Sequence, residues 1–206
     1  MTKNSKNPHL RRQTQQERTV VLIKPDSVKR GLIGEIISRF EKAGLKIVAM
    51  KMVWINLEHA KKHYPAGRKE WVKSIGERAL ETYKEYGYDP KEDLASIEPV
   101  EMGELMIKWL AEFLSSGPVV AMVLQGNYAI KIVRKIVGHT FPDRAAPGTI
   151  RGDFSSEWGL TFKNKRAAHN LVHASGNVEE AKFETQLWFH KNEFHNYKRA
   201  EEDIMF

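Results

Sequence analysis

The sequence has no cysteine among its 206 residues. That excludes a disulfide framework, a cysteine-ligated zinc site and a thiol nucleophile together. No apolar run approaches the ~18 residues needed to cross a bilayer. The first such run, Val20 to Ile23, is too short for the core of a signal peptide. The expectation is a cytoplasmic protein with no membrane partner. The Walker and dinucleotide glycine loops are missing, and so is a His-Glu-x-x-His zinc signature. No protein side-chain metal site is expected. What is present, 41% hydrophobic and 29% charged residues, suits one well-filled globular domain. The formal net charge of +7 favours an anionic partner without choosing among nucleic acid, nucleotide and phosphate.

Residues 1–16 are polar, with Leu10 the only apolar residue after Met1, and read as a tail that precedes the folded domain of 17–206. The β-branched run Thr19 to Ile23 reads as a buried strand that stops at Lys24-Pro25-Asp26. Ile33, Ile36, Ile37 and Phe40 form one helix face, closed by Gly44. Leu45 to Ile55 is apolar on both faces and is expected inside the sheet. A short helix over 57–63 follows. Residues 65–100 are charge-rich and weakly periodic, as in an inserted helical segment. Then come a helix over 101–115, a strand over 118–124, a helix over 127–137 and a long loop from His139 to Gly152. A short strand at Leu171-Val172 and a last helix after Asn177 complete the chain. Two β-α-β units side by side predict an α/β (α+β) fold: a ferredoxin-like four-stranded antiparallel sheet covered by helices. A doubly wound parallel sheet would need more strands than the sequence offers.

The segment Asn170 to Gly176 is the most suggestive for chemistry. His173 follows a short apolar strand and precedes small residues that leave room beside its ring. Asn177-Val178-Glu179-Glu180 has capping-box spacing, so a helix N-terminus adds positive potential nearby. On spacing alone, a histidine without a role is the slightly better reading. Glu184 shares a helix face with Ala181 and Trp188. A carboxylate on an apolar stripe needs a partner. That partner is either His173, whose tautomer it would fix, or a lysine or arginine. Lys24, Arg134 and Arg151, with the hydroxyl of Thr140, supply what a phosphate site requires, because guanidinium grips phosphate in a fork. Each of these cations alone is more often a solvated surface charge.

These residues stand in motifs that resemble the nucleoside diphosphate kinase family. The matches are Glu17-Arg18-Thr19, Lys24-Pro25-Asp26, Arg30 to Gly34, Ser116 to Val123, Pro147 to Phe154, Asn170 to Ser175 and Leu187-Trp188-Phe189, in the family's order. The resemblance implies transfer of the terminal phosphate of ATP or another nucleoside triphosphate to a diphosphate, with Mg2+ carried on the nucleotide. It implies a homo-oligomer, a hexamer or tetramer. By the same resemblance His173 is the phosphorylated nucleophile, Glu184 orients it and Ser175 stands beside it. Lys24, Tyr64, Arg134, Thr140, Arg151 and Asn170 hold phosphates and sugar. Three features depart from the family pattern. His173-Ala174-Ser175-Gly176-Asn177 replaces the usual His-Gly-Ser-Asp-Ser, the stretch from Tyr64 to Gly117 is long, and residues 155–169 are also extended. That length leaves Trp71, Met106 and Trp109 all open as the residue that stacks on the base. A nucleic-acid-binding sheet would need exposed aromatics on a sheet face, and the pattern of Leu45 to Ile55 does not indicate one. A non-catalytic family member would be expected to lack the histidine or a cation, and all are present.

Overall fold

The computed structural model describes residues 16–64, 68–94, 97–158, 161–200 and 202. Apart from Gln16, the expected tail lies outside them. Four strands, β1 (Gln16–Ile23), β2 (Lys46–Val53), β3 (Val119–Asn127) and β4 (Val172–Ala174), form one sheet in the order β2-β3-β1-β4. Every neighbouring pair is antiparallel, the ferredoxin-like arrangement, which rules out the doubly wound sheet.

The inner strands β1 and β3 are apolar on both sides because both faces of the sheet are covered. Val20 and Leu22 point with Val119, Ala121 and Val123 into one core. That core is closed by α3 (Leu57–His63), α6 (Pro99–Leu114) and α9 (Val178–Trp188). Val21 and Ile23 point with Val120, Met122 and Leu124 into the other. The second core is closed by α2 (Ile33–Lys42), α7 (Ala129–Val137) and α8 (Ile150–Phe154). Neither inner strand leaves a face open for stacking bases. A single turn, α1 (Pro25–Lys29), follows β1, with Pro25 at the first helical position where its missing N–H costs nothing.

The expectation for β2 is corrected. It is an edge strand, not an interior one. Its outer half exposes Met50 and Met52, and Trp54 just beyond it is 67% exposed. A bulge between Ile47 and Ala49 breaks the simple alternation, so apolar residues on both faces do not place the strand centrally here. The chain's C-terminal segment covers the inner half: His195 N–H donates to Val48 O at 2.8 Å, and Tyr197 Oη to Ile47 O at 2.8 Å.

The long stretch between Tyr64 and Gly117 contains α4 (Lys69–Glu85) and α5 (Pro90–Asp93) before α6. Helix α4 lies tightly along α6. A Cβ on Gly76 would sit 1.8 Å from Pro99 O, and one on Gly103 would sit 2.0 Å from Val72 O. Only glycine allows this approach. Ala79, Tyr83, Leu94, Met102 and Met106 make a third small core between the two helices. This accounts for the apolar side chains in an otherwise charged segment.

Candidate active site

The site is assembled where β1 ends and β4 begins. Leu171 sits in the left-handed region at φ 71°, a conformation that costs a branched residue roughly 1–3 kcal/mol. Three contacts hold it there. Its N–H donates to Asp26 Oδ2 at 3.0 Å, and its carbonyl accepts from Lys24 N–H at 2.9 Å and Ser27 Oγ at 2.8 Å. The Lys24-Pro25-Asp26-Ser27 turn thus fixes the kink that sends both Asn170 and His173 into one cleft.

His173 lies within β4, opposite Leu22. Its Nε2 is 2.9 Å from Glu184 Oε1. Ser175 Oγ donates to Glu184 Oε2 at 2.7 Å and itself accepts from Val20 N–H at 3.2 Å. Glu184 is buried, with each oxygen taken by one donor, so the carboxylate cannot rotate freely. An acceptor at Nε2 places the ring proton there and leaves the lone pair on Nδ1. Nδ1 has no protein partner among the described residues.

Cations line the facing wall. Lys24 is buried and donates to Asn170 Oδ1 at 2.7 Å. Burial first, then the charge of Arg151, lowers the Lys24 ammonium to about 8. Arg151 donates to Asn170 O at 3.0 Å, Gly138 O and His139 O at 3.1 Å each, and Val172 O at 2.7 Å. Burial, then Arg134, lowers it to about 10, so it stays cationic at neutral pH. Asn170 Nδ2 donates to Thr140 O at 2.8 Å, tying the loop after α7 to the same knot. Burial, then the charge of Glu184, pushes the Tyr64 phenol well up, so it remains a donor.

These groups border a cavity of about 750 Å³. Lys24, Tyr64, Arg134, Thr140, Arg151, Asn170, His173 and Glu184 all line it, and Ser175 stands behind Glu184. Trp71, Met106 and Trp109, the three residues left open as stacking partners, also border it, together with Leu110 and Ala167. The cavity therefore carries both cationic and aromatic lining.

At Gly176, where the family motif has aspartate, a carboxylate arrives from elsewhere. Glu180 accepts from Gly176 N–H at 2.7 Å and from Asn177 Nδ2 at 3.1 Å, while Asn177 caps α9 by accepting from Glu180 N–H at 2.8 Å. Only half of the capping box is made: Asn177 accepts from Glu180 N–H, whereas the Glu180 carboxylate reaches the N–H of Gly176 and not that of Asn177. Glu180 also lines the cavity.

Sequence reasoning missed His63. It is buried at the end of α3, with its ring centroid 4.4 Å from that of His173 and nearly perpendicular to it. Its Nδ1 accepts from Trp188 Nε1 at 3.3 Å, and its Nε2 is buried without a partner among the described residues. Burial, then His173 and Lys24, hold it well below the usual histidine range, so it is neutral. No periodicity marks it; its only signal is its place beside Tyr64. His63, His173 and Glu184 bring one ligand atom each within 4.8 Å of one another. Two nitrogens and a carboxylate that already holds two donors do not suit Mg2+, which takes oxygen ligands in an octahedron.

Comparison with known proteins follows the same lines. The family described as nucleoside diphosphate kinase matches residues 17–73 and 99–194. The nucleoside diphosphate kinase of Pyrobaculum aerophilum is 49% identical over 178 residues, covering 86% of this chain and 97% of that protein. The crystal structure of an NDP kinase from the same organism superposes with a TM-score of 0.84 at 47% identity, covering 88% of this chain and all of the other. A nucleoside-diphosphate kinase from Borrelia burgdorferi, solved as a transition-state mimic with bound vanadate and ADP, gives a TM-score of 0.73 at 36% identity. There 91% of this chain and 95% of that one are covered.

Proposed function

Because the chain belongs to the nucleoside diphosphate kinase family, we propose that it moves the terminal phosphate of a nucleoside triphosphate to a nucleoside diphosphate through His173. The observation that carries this reading is the histidine itself: Nε2 is held by Glu184, and Nδ1, without a partner among the described residues, is on a residue that lines a cavity with Lys24, Arg134 and Arg151.

In the first half-reaction Nδ1 attacks the terminal phosphorus of the triphosphate. The N–P bond forms as the bond from phosphorus to the bridging oxygen breaks, and the diphosphate leaves with that electron pair. In the second half a different diphosphate presents a terminal oxygen, which attacks the same phosphorus and restores the free imidazole. One site thus serves donor and acceptor in turn. Glu184 faces the positive charge that develops on the ring, and Ser175 keeps the carboxylate aimed. Lys24 and Arg134 offer donors to the phosphoryl oxygens. Arg151, already holding four carbonyls, contributes its charge and the rigidity of the loop. Tyr64, Thr140 and Asn170 complete the polar wall.

The cation that suits this site is Mg2+ held by the nucleotide's own phosphate oxygens, because the wall facing them is cationic and His63, His173 and Glu184 are a poor set for it. When bound it neutralises charge on the terminal phosphates. Assembly as a homo-oligomer, a hexamer or tetramer, is supported by the exposed row of Met50, Met52 and Trp54 beside the open half of edge strand β2. Use of nucleotides as substrates supports a cytoplasmic setting. Among the described residues no helix is long and apolar enough to cross a membrane.

Mass spectrometry after incubation with ATP and Mg2+ alone tests the proposal. A single acid-labile phosphoryl adduct mapping to His173, discharged by any added diphosphate, is expected. An unmodified protein that still exchanges phosphate would overturn it.

A further inference from the structure

The family match breaks between residues 73 and 99, and the missing piece is the greater part of α4 together with α5. This piece does more than decorate the surface. Its near end belongs to one wall of the cleft, where Ile75, Arg78 and Ala79 line the cavity beside Trp71. Its far end is bound to a second stretch that lines the cleft, the segment between α7 and β4 that carries Thr140 and Arg151.

The links to that loop are of three kinds. Tyr86 Oη donates to Asp143 Oδ2. Glu85 pairs with Arg144 at 2.7 Å, and Asp93 with Lys163 at 2.8 Å. Aromatic contacts add to these. Arg144 lies 5.0 Å over the Tyr86 ring, Lys163 lies 4.2 Å over Tyr88, and Trp158 meets Tyr86 edge-on at 5.6 Å. Trp158 also packs against the small core that α4 shares with α6. Asp143 and Arg144 belong to the single turn Pro142–Arg144, two residues past Thr140, which packs on α8 where Arg151 sits.

Each of these surface ion pairs contributes little on its own. Their arrangement matters more than their sum. Tyr83, one turn before Tyr86, is fully buried, so the end of α4 is a rigid anchor. A loop held at several points to a rigid anchor loses the freedom to widen the cleft, and less ordering remains to be done when nucleotide binds. We propose that Glu85, Tyr86 and Asp93 are positioning residues: the inserted segment straps the segment between α7 and β4, which carries Thr140 and Arg151, to the α4–α6 wall and holds the nucleotide cleft at its working width. This rests on the cleft being the nucleotide site described above.

The test is Tyr86→Ala in the full chain, followed by steady-state kinetics with several nucleotides and by amide hydrogen exchange. KM for tri- and diphosphates should rise roughly five- to tenfold while kcat stays within about twofold. Exchange should quicken over 139–158 and not in β1 or β3. Tyr86→Phe, which keeps the ring contacts, should fall between. If Tyr86→Ala fails to fold, the double change Glu85→Gln with Asp93→Asn removes two ion pairs and leaves the core intact, and KM is read in the same way. Unchanged KM, or a fall in kcat at constant KM, would overturn the strap. Absence of a His173 adduct in the unaltered protein would instead defeat the functional reading on which it rests.

Discussion

Replacing Glu184 with glutamine separates the charge of that side chain from its shape. The carboxylate accepts from His173 Nε2 at 2.9 Å and from Ser175 Oγ at 2.7 Å, both inside the fold. Glutamine keeps the volume. Its oxygen can still accept from Nε2–H, while its amide can donate to Ser175 Oγ in place of accepting from it. The resting protein should therefore fold with little change in stability. The difference appears when His173 becomes cationic on attack. A hydrogen bond from a charged group contributes about 1.5–3 kcal/mol and a neutral one about 0.5–1.5. The loss specific to the transition state is then roughly 1–2 kcal/mol, or about 5- to 30-fold in rate. Rapid-quench measurement of His173 phosphorylation at saturating ATP reads this directly, because turnover mixes two half-reactions. Glu184→Ala should be slower still, since it leaves Ser175 and the imidazole N–H facing a void. A Glu184→Gln rate equal to that of the unaltered protein would show that only the hydrogen bond matters. A loss beyond about 1000-fold would mean that Glu184 itself carries a proton, contrary to the reasoning here.

Lys24 predicts a pH effect. Its ammonium is lowered from 10.5 to about 8, chiefly by burial, so the folded apo-protein binds fewer protons than the unfolded chain across that window and its stability rises with pH there. Nucleotide phosphate should restore the charged form; KM should therefore climb as pH passes about 8, and calorimetry in buffers of different ionisation enthalpy should detect proton uptake on binding. Arg151→Lys leaves one ammonium where a guanidinium meets four carbonyls, so a Tm fall corresponding to roughly 2–3 kcal/mol and a raised KM are expected. Gly103→Ala puts a methyl group 2.0 Å from Val72 O and should part α4 from α6, costing about 2 kcal/mol or more by denaturant unfolding. A neutral result at Gly103 would mean that the two helices are not packed as closely as described.

The four strands and most helices were legible in the sequence because their residues carry strong local signals. Val20 to Ile23 is too β-branched to be anything but a buried strand, and Ile33 to Phe40 repeats at helical spacing. The motif Asn170 to Ser175 points to His173 as a histidine among small neighbours at a strand, but it took Glu184 on the last helix and the family resemblance to give that histidine a role. Other features have no local signal. Leu171 adopts its left-handed turn only because Asp26 and Ser27, far away in sequence, are there to hold it. Burial of Lys24 and Arg151, which sets their electrostatics, is a property of the closed fold and not of either residue. His63 became part of the site only when α3 was laid beside β4 and Trp188. β2 was misplaced because alternation reports which residues are apolar, whereas its place at the edge is set by which strands it finds as partners. The insertion looked like a charged excursion, and its charges do face outward. Where they land, on Arg144 and Lys163, was decided by the glycine-to-carbonyl packing that directs α4 along α6. Sequence determined the chemistry available; long-range contacts between residues that carry no sign of each other determined where that chemistry is brought together.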